Sequence, residues 1–194
     1  MRIAVYSGSF NPVHNGHLAV AQKVVEQAGI DELWFLVSPQ NPLKKDSLLW
    51  PENDRFLMVK LAIEDEPLMK ASDYEFHLPR PTFTINTLDS LKSEFPQHDF
   101  VLLVGGDNLS LIHRWYKFQR ILDDFGLIVY PRPGYETDEF LYHPNVQMID
   151  APFLPFSATE IRGKILNGES IEDLVPTKVA KFIHHRIKDS DLFQ

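Results

Sequence analysis

The chain contains no cysteine at any of its 194 positions, which removes disulfides, thiolate metal ligands and cysteine nucleophiles together. Positive charge is also short: 19 Lys and Arg face 27 Asp and Glu, for a net charge of −8. That deficit argues against a polynucleotide partner, whose phosphates need a basic face. It leaves room for a small phosphorylated ligand, which needs only a local positive pocket. No apolar run reaches membrane-spanning length, and no charged start followed by an apolar stretch and cleavage site precedes the first strand-like run, so no membrane partner is expected and the reading is cytoplasmic. His77, His98, His113 and His143 fall at no metal-ligating spacing, and no carboxylate cluster suggests a protein-built metal cage. Glycine is scarce as well, so two of the 9 glycines lying within nine positions, Gly8 and Gly16, ask for a reason.

What the chain does contain is an alternation. The runs "IAVY" (3–6), "LWFLV" (33–37), "FVLLV" (100–104) and "LIVY" (127–130) are continuously apolar and rich in β-branched and aromatic residues, the pattern of strands covered on both faces. Amphipathic stretches separate them. In "HLAVAQKVVEQAG", Leu18, Ala21, Val25 and Ala28 share one helical face and Gly29 supplies a stop. The segments 54–65, 84–95, 108–122 and, behind Pro176, 177–187 read as helices too. Strand–helix alternation without repeats, linkers or low-complexity tracts predicts one domain over 1–194: α/β, a doubly wound Rossmann-like parallel sheet. Pro-rich pieces at 38–51, 79–82 and 131–144 are expected to be loops.

In such a sheet, ligands bind beyond the carboxyl ends of the strands. "GSFNPVHNGHL" (8–18) lies there, between the first strand and the first helix. Gly8 is expected to permit a tight turn close to a ligand, and Gly16 to clear space beside His14 and His17. A helix starting near His17 offers free N–H groups and a partial positive charge, and two imidazoles add donors. The implied ligand is a phosphate chain. The plainer reading is that one histidine caps the helix and the other is solvated.

The stretch resembles the (H/T)xGH signature of the nucleotidylyltransferase superfamily, and "FSATEIR" (156–162) is similar to its SSTxIR signature. Read alone, Ser157 and Glu160 make a capping box. Further segments resemble the nicotinate mononucleotide adenylyltransferases within that superfamily. "SPQNPLKKDS" (38–47) is similar to a PPHK loop, with Leu43 where histidine is frequent. "RPTFTINTL" (80–88) is similar to SYTxDTL, with Thr82, Phe83 and Asn86 departing from it, and "VGGDNL" (104–109) to the GxD segment. "RWYKFQRIL" (114–122) and "VYPRPGY" (129–135) also match.

The resemblance implies a Rossmann-like enzyme of NAD biosynthesis that joins ATP and nicotinate mononucleotide, with Mg²⁺ carried by ATP. It implies His14 and His17 as catalytic residues at the phosphate chain. It places ATP and its phosphates on Gly8, Ser9, Phe10, Gly16, Lys44, Gly105, Asp107, Ser157, Thr159 and Arg162. It puts the acceptor on Thr84, Trp115 and Tyr116, the indole stacking on the pyridine ring. Each residue also has a structural reading: Trp115 and Tyr116 as packing, Asp107 as a helix N-cap, Lys44 and Lys45 as a solvated pair. Three rivals stand beside this family. They are a pantetheine-phosphate adenylyltransferase, an aminoacyl-tRNA synthetase (for which the chain is short and lacks a KMSKS loop) and a non-catalytic nucleotide sensor. Oligomeric state is open.

Overall fold

The computed structural model of the protein describes residues 1–39, 49–135, 140, 142–152 and 154–188. Six strands, β1 (Arg2–Gly8), β2 (Glu32–Val37), β3 (Met69–Ser72), β4 (Asp99–Gly105), β5 (Leu127–Tyr130) and β6 (Val146–Met148), form one sheet in the order β3-β2-β1-β4-β5-β6. Every neighbouring pair is parallel. The order reverses between β1 and β4, so a switch-point crevice opens beyond their carboxyl ends.

Among the described residues, α1 (Asn15–Gln27), α2 (Glu52–Ala62), α3 (Thr84–Glu94), α4 (Gly106–Leu109) and α5 (Phe118–Arg120) lie in the crossovers, and α6 (Ala158–Leu166) and α7 (Thr177–Lys188) follow the last strand. Alternate strand residues feed two cores. Ala4, Tyr6, Phe35, Leu103 and Ile128 pack with α1, α2, α6 and α7. Ile3, Val5, Leu36, Leu102 and Val129 pack with Ile85, Leu88 and Leu91 of α3 on the other face. Both faces being dry is why the strands read as unbroken apolar runs.

The buried stripe of α1 runs through Val20, Ala21, Val24 and Ala28, with Leu18 and Val25 at its edges, so the face is turned by about one position from the expected one. Gly29 ends the helix at φ +62.

The single helix expected over 108–122 is not formed. After α4, a 3₁₀ turn (Ile112–Arg114) leads to extended Trp115, and Lys117 is left-handed at φ +54; α5 then passes into a π-turn (Ile121–Phe125). A left-handed residue cannot continue a right-handed helix. The break still buries Leu109, Ile112, Ile121 and Leu122, the residues that produced the helical pattern. No helix among the described residues is long and apolar enough to cross a membrane.

Candidate active site

The ends of β1, β4 and β5, at Gly8, Gly105 and Tyr130, frame the crevice. The left-handed residue of the first loop is Phe10, at φ +45, not Gly8. Its ring is buried against Tyr6, Phe35 and His17. A Cβ on Gly8 would stand 3.1 Å from that ring, so Gly8 makes room for Phe10 instead of making a turn. The side chain of Phe10 therefore belongs to the core, and the backbone of Ser9 and Phe10 is what this loop can offer a phosphate.

His14 is the N-cap of α1 and His17 its third residue. Their rings stack at 3.7 Å between centroids and 29° between planes. The backbone N–H of His14 donates to His17 Nδ1 at 3.2 Å. With Nδ1 an acceptor, neutral His17 must carry its proton on Nε2. Burial, reinforced by the nearby Arg132 cation, lowers His14 to about 4. Burial, the second imidazole and Arg132 push His17 well below its ordinary range. The pair is thus two neutral donor–acceptors at neutral pH, and His14 Nδ1 is buried with no hydrogen-bond partner among the described residues. His14 is buried and His17 partly buried, so neither is a freely solvated side chain.

Gly16 does what its position suggests. A Cβ there would lie 3.0 Å from both Cε1 and Nδ1 of His14. The helix terminus is narrower as an anion site than expected, because Asn15 N–H already donates to Leu174 O at 2.9 Å and His17 N–H to His14 O at 2.9 Å. Of the first-turn amides, that of Gly16 has no acceptor among the described residues.

The second signature is anchored to the first. Ser157 Oγ accepts from Glu160 N–H at 3.2 Å, capping α6. Arg162 is buried, donating from one Nη to the carbonyl of Asn11 at 2.8 Å and from the other to Thr159 Oγ1 at 3.3 Å. One guanidinium thereby joins the two signature segments. Lys44, with Leu43 and Lys45, lies outside the described residues.

A cavity of about 290 Å³ opens against this constellation, lined by Tyr6, His14, His17, Tyr130, Arg132 and Phe156 among others. Arg132 was not foreseen. Its Nε lies 3.4 Å from Asp107 Oδ1, and its Nη donates to Tyr130 Oη at 3.3 Å. Asp107 sits in the first turn of α4, whose N-cap is Gly105, so capping is not its role. A Cβ on Gly105 would lie 2.5 Å from Asp107 Oδ1 and 2.9 Å from the Tyr130 ring and hydroxyl, which leaves glycine the only residue that fits.

On the acceptor side, Thr84 opens α3. Its neighbour Phe83 meets the Tyr116 ring at 5.1 Å, bringing the 80–88 and 114–122 segments together. Tyr116 is half exposed, with Lys117 Nζ 5.0 Å from its ring centre, while Trp115 is partly buried against the second core.

Neither Arg55, in the segment "DRFLMVKLAI" that resembles the family's arginine-led helix, nor Glu75 is given a site role by the sequence. Arg55 is fully buried and donates to four carbonyls: Trp50 at 2.9 Å, Ser9 at 2.7 Å, Ser38 at 2.7 Å and Pro39 at 2.9 Å. It ties the phosphate loop to the chain leaving β2. A signal existed: Arg55 falls on the stripe of Met58, Val59 and Ala62, a cation on the apolar face of a helix.

A parallel sheet of this order, with paired histidines at its switch point and the capped terminus of α6 tied to their loop, defines a Rossmann-like nucleotide-binding transferase. Residues 5–164 match the cytidylyltransferase-like family. A probable nicotinate-nucleotide adenylyltransferase of Bacteroides fragilis (strain YCH46) is 44% identical over 182 residues, covering 94% of this chain and 90% of its own length. The Flavobacterium johnsoniae protein of the same designation is 43% identical over 187 residues, covering 95% and 97%. The solved structure of Plasmodium falciparum nicotinic acid mononucleotide adenylyltransferase complexed with NaAD superimposes with a TM-score of 0.81 at 22% identity, over 97% of each chain, which bears on the fold. The chain belongs to the nicotinate-nucleotide adenylyltransferase family.

Proposed function

We infer that this protein transfers the adenylyl group of ATP to nicotinate mononucleotide, giving deamido-NAD and pyrophosphate in NAD biosynthesis. The observation that carries the reading is the stacked, neutral His14–His17 pair facing the cavity, with Arg162 tying its loop to the Ser157–Thr159 helix terminus. A 5′-phosphate oxygen of the mononucleotide attacks the α-phosphorus of ATP. A new P–O bond forms as the bond from that phosphorus to the bridging oxygen breaks, and the electron pair leaves with pyrophosphate. The nucleophile is already an anion, so no general base is required. The site has to align the reactants and meet the charge that develops on the phosphates. His17 Nε2–H is the donor for that charge, and neutral imidazoles serve because donation needs a proton, not a cation. Thr159, Arg162 and Lys44 are assigned to the leaving pyrophosphate, Gly105 and Asp107 to the ATP ribose, and Thr84, Trp115 and Tyr116 to the acceptor.

Mg²⁺ is assigned to the nucleotide, whose oxygens and water would hold it; the described residues gather no group of three His, Asp or Glu side chains to cage a metal. The cysteine-free composition suits a reducing cytoplasm, where both substrates would be met. The test is pyrophosphate release from ATP and Mg²⁺ with nicotinate mononucleotide, nicotinamide mononucleotide or phosphopantetheine as acceptor. Release chiefly with the first is expected. A preference for phosphopantetheine overturns the acceptor, and no release with any acceptor leaves a nucleotide sensor.

A further inference from the structure

Glu75 lies in the 3₁₀ turn Tyr74–His77 that follows β3, and only 4% of its surface meets solvent. Its Oε1 accepts from Thr87 Oγ1 at 3.1 Å and from Ser7 Oγ at 3.4 Å. The hydroxyls of Ser38 and Thr82 lie near enough to help hold the carboxyl down, without closing hydrogen bonds to it. An ionised carboxylate only accepts, so two hydroxyl donors on one oxygen, with two more hydroxyls close by, suit the charged form. Burial raises the carboxyl above its ordinary range, and the four hydroxyls pull in the opposite direction. No Lys, Arg or His among the described residues forms an ion pair with it.

A buried charge normally has an opposite charge beside it, because hydrogen bonds alone compensate desolvation only in part. Here the two donors come from the end of β1 and from α3, and the two nearby hydroxyls from the exit of β2 and the approach to α3. Ser7 directly precedes Gly8, and Thr87 stands three residues after Thr84. The carboxylate therefore joins the strand that leads into the first loop to the helix that opens at Thr84, a residue assigned to the acceptor. That acceptor carries a quaternary ring nitrogen, a positive charge separate from its phosphate and its nicotinate carboxylate.

We propose that Glu75 is the fixed counter-charge for the acceptor's pyridinium ring, acting through space from behind the site and not by direct contact. The proposal rests on the acceptor reading given above. In the poorly polarisable wall of a cleft, one unit charge is felt over several ångströms, and water does not screen it.

The experiment compares binding of nicotinate mononucleotide with binding of its 1,4-dihydro form, which has nearly the same shape and a neutral ring. Dissociation constants for both are measured by calorimetry on the wild-type protein, Glu75→Gln and Glu75→Asp. The ratio of the dihydro constant to the pyridinium constant should fall roughly three- to tenfold in Glu75→Gln, a scale set by one charge at moderate effective dielectric, and be retained in Glu75→Asp. Should Glu75→Gln not fold, Thr87→Val, which strips one donor from the carboxylate, must lower the same ratio to a smaller degree. An unchanged ratio, or equal weakening of both ligands, overturns the proposal and leaves Glu75 as a structural knot. Turnover of nicotinate mononucleotide by the wild-type protein, measured separately, tests the acceptor reading itself.

Discussion

Replacing Gly16 by alanine sets helix propensity against active-site geometry, and the two pull in opposite directions. Gly16 is the second residue of α1 and has no positive φ. On propensity alone Gly16→Ala should stabilise the protein, by up to about 1 kcal/mol or roughly 2–4 °C in melting temperature for a chain of this size. The new Cβ, however, would stand 3.0 Å from Cε1 and Nδ1 of His14, against an ordinary contact of at least 3.4 Å. The ring has little freedom to withdraw, being stacked at 3.7 Å on His17 and edge-on to Phe156 at 5.5 Å. It must therefore shift by about half an ångström within the pair. Misplacing a reacting group by about 1 Å costs on the order of 10²-fold, so kcat should fall roughly tenfold. Steady-state pyrophosphate release and a thermal melt of the same variant check both halves. A kcat within twofold of wild type, with melting unchanged or raised, would show that the position of the His14 ring does not matter to the reaction.

Trp115→Ala should raise KM for nicotinate mononucleotide about five- to thirtyfold and leave KM for ATP unmoved, as expected for losing a 1–2 kcal/mol stacking contact with a cationic ring; equal weakening of both substrates with a lower melting temperature would make Trp115 a packing residue only. His14 is held neutral in the fold, at about 4 against 6.5 when unfolded, so the unfolded chain binds more protons between those values. Stability from this group is whole above pH 6.5 and lost as pH falls toward 4, by about 3 kcal/mol; melts from pH 7 to 4.5 should show the decline, and His14→Ala should reduce it, with His17 supplying what remains. Arg55→Lys keeps a charge but cannot span four carbonyls, leaving at least one unsatisfied at roughly 1–3 kcal/mol each; differential scanning calorimetry should show a loss of several degrees, and an unchanged melting temperature would mean water replaces the fork.

The four central strands were legible because a strand covered on both faces leaves an unbroken apolar run. The edge strands β3 (MKAS) and β6 (VQM) were not, since each pairs on one side only and carries polar residues. The two histidines and Gly16 were readable because a short spacing between rare residues survives in one dimension. Glu75 and Arg132 were not, because what distinguishes them is burial and company supplied by distant segments. The broken helix at 110–120 has the same origin: its apolar spacing is helical, and the left-handed Lys117 that interrupts it has no mark in the sequence such as glycine or asparagine would give.

The bond from Asn15 N–H to the carbonyl of Leu174 and the bond from Arg162 to the carbonyl of Asn11 span 159 and 151 positions, from 15 to 174 and from 11 to 162. They give the protein a timetable. At roughly 5–20 residues per second, the ribosome needs about 8 to 30 s after making the first helix before Leu174 exists to cap it. During that interval the first strand and its histidine loop are present, but the groups that hold the loop in place are not yet made. Closing such distant contacts is slow, because the long intervening chain must be ordered first. A nascent chain of this protein carries the paired histidines of its site from the first seconds of synthesis and acquires the site itself only near the end.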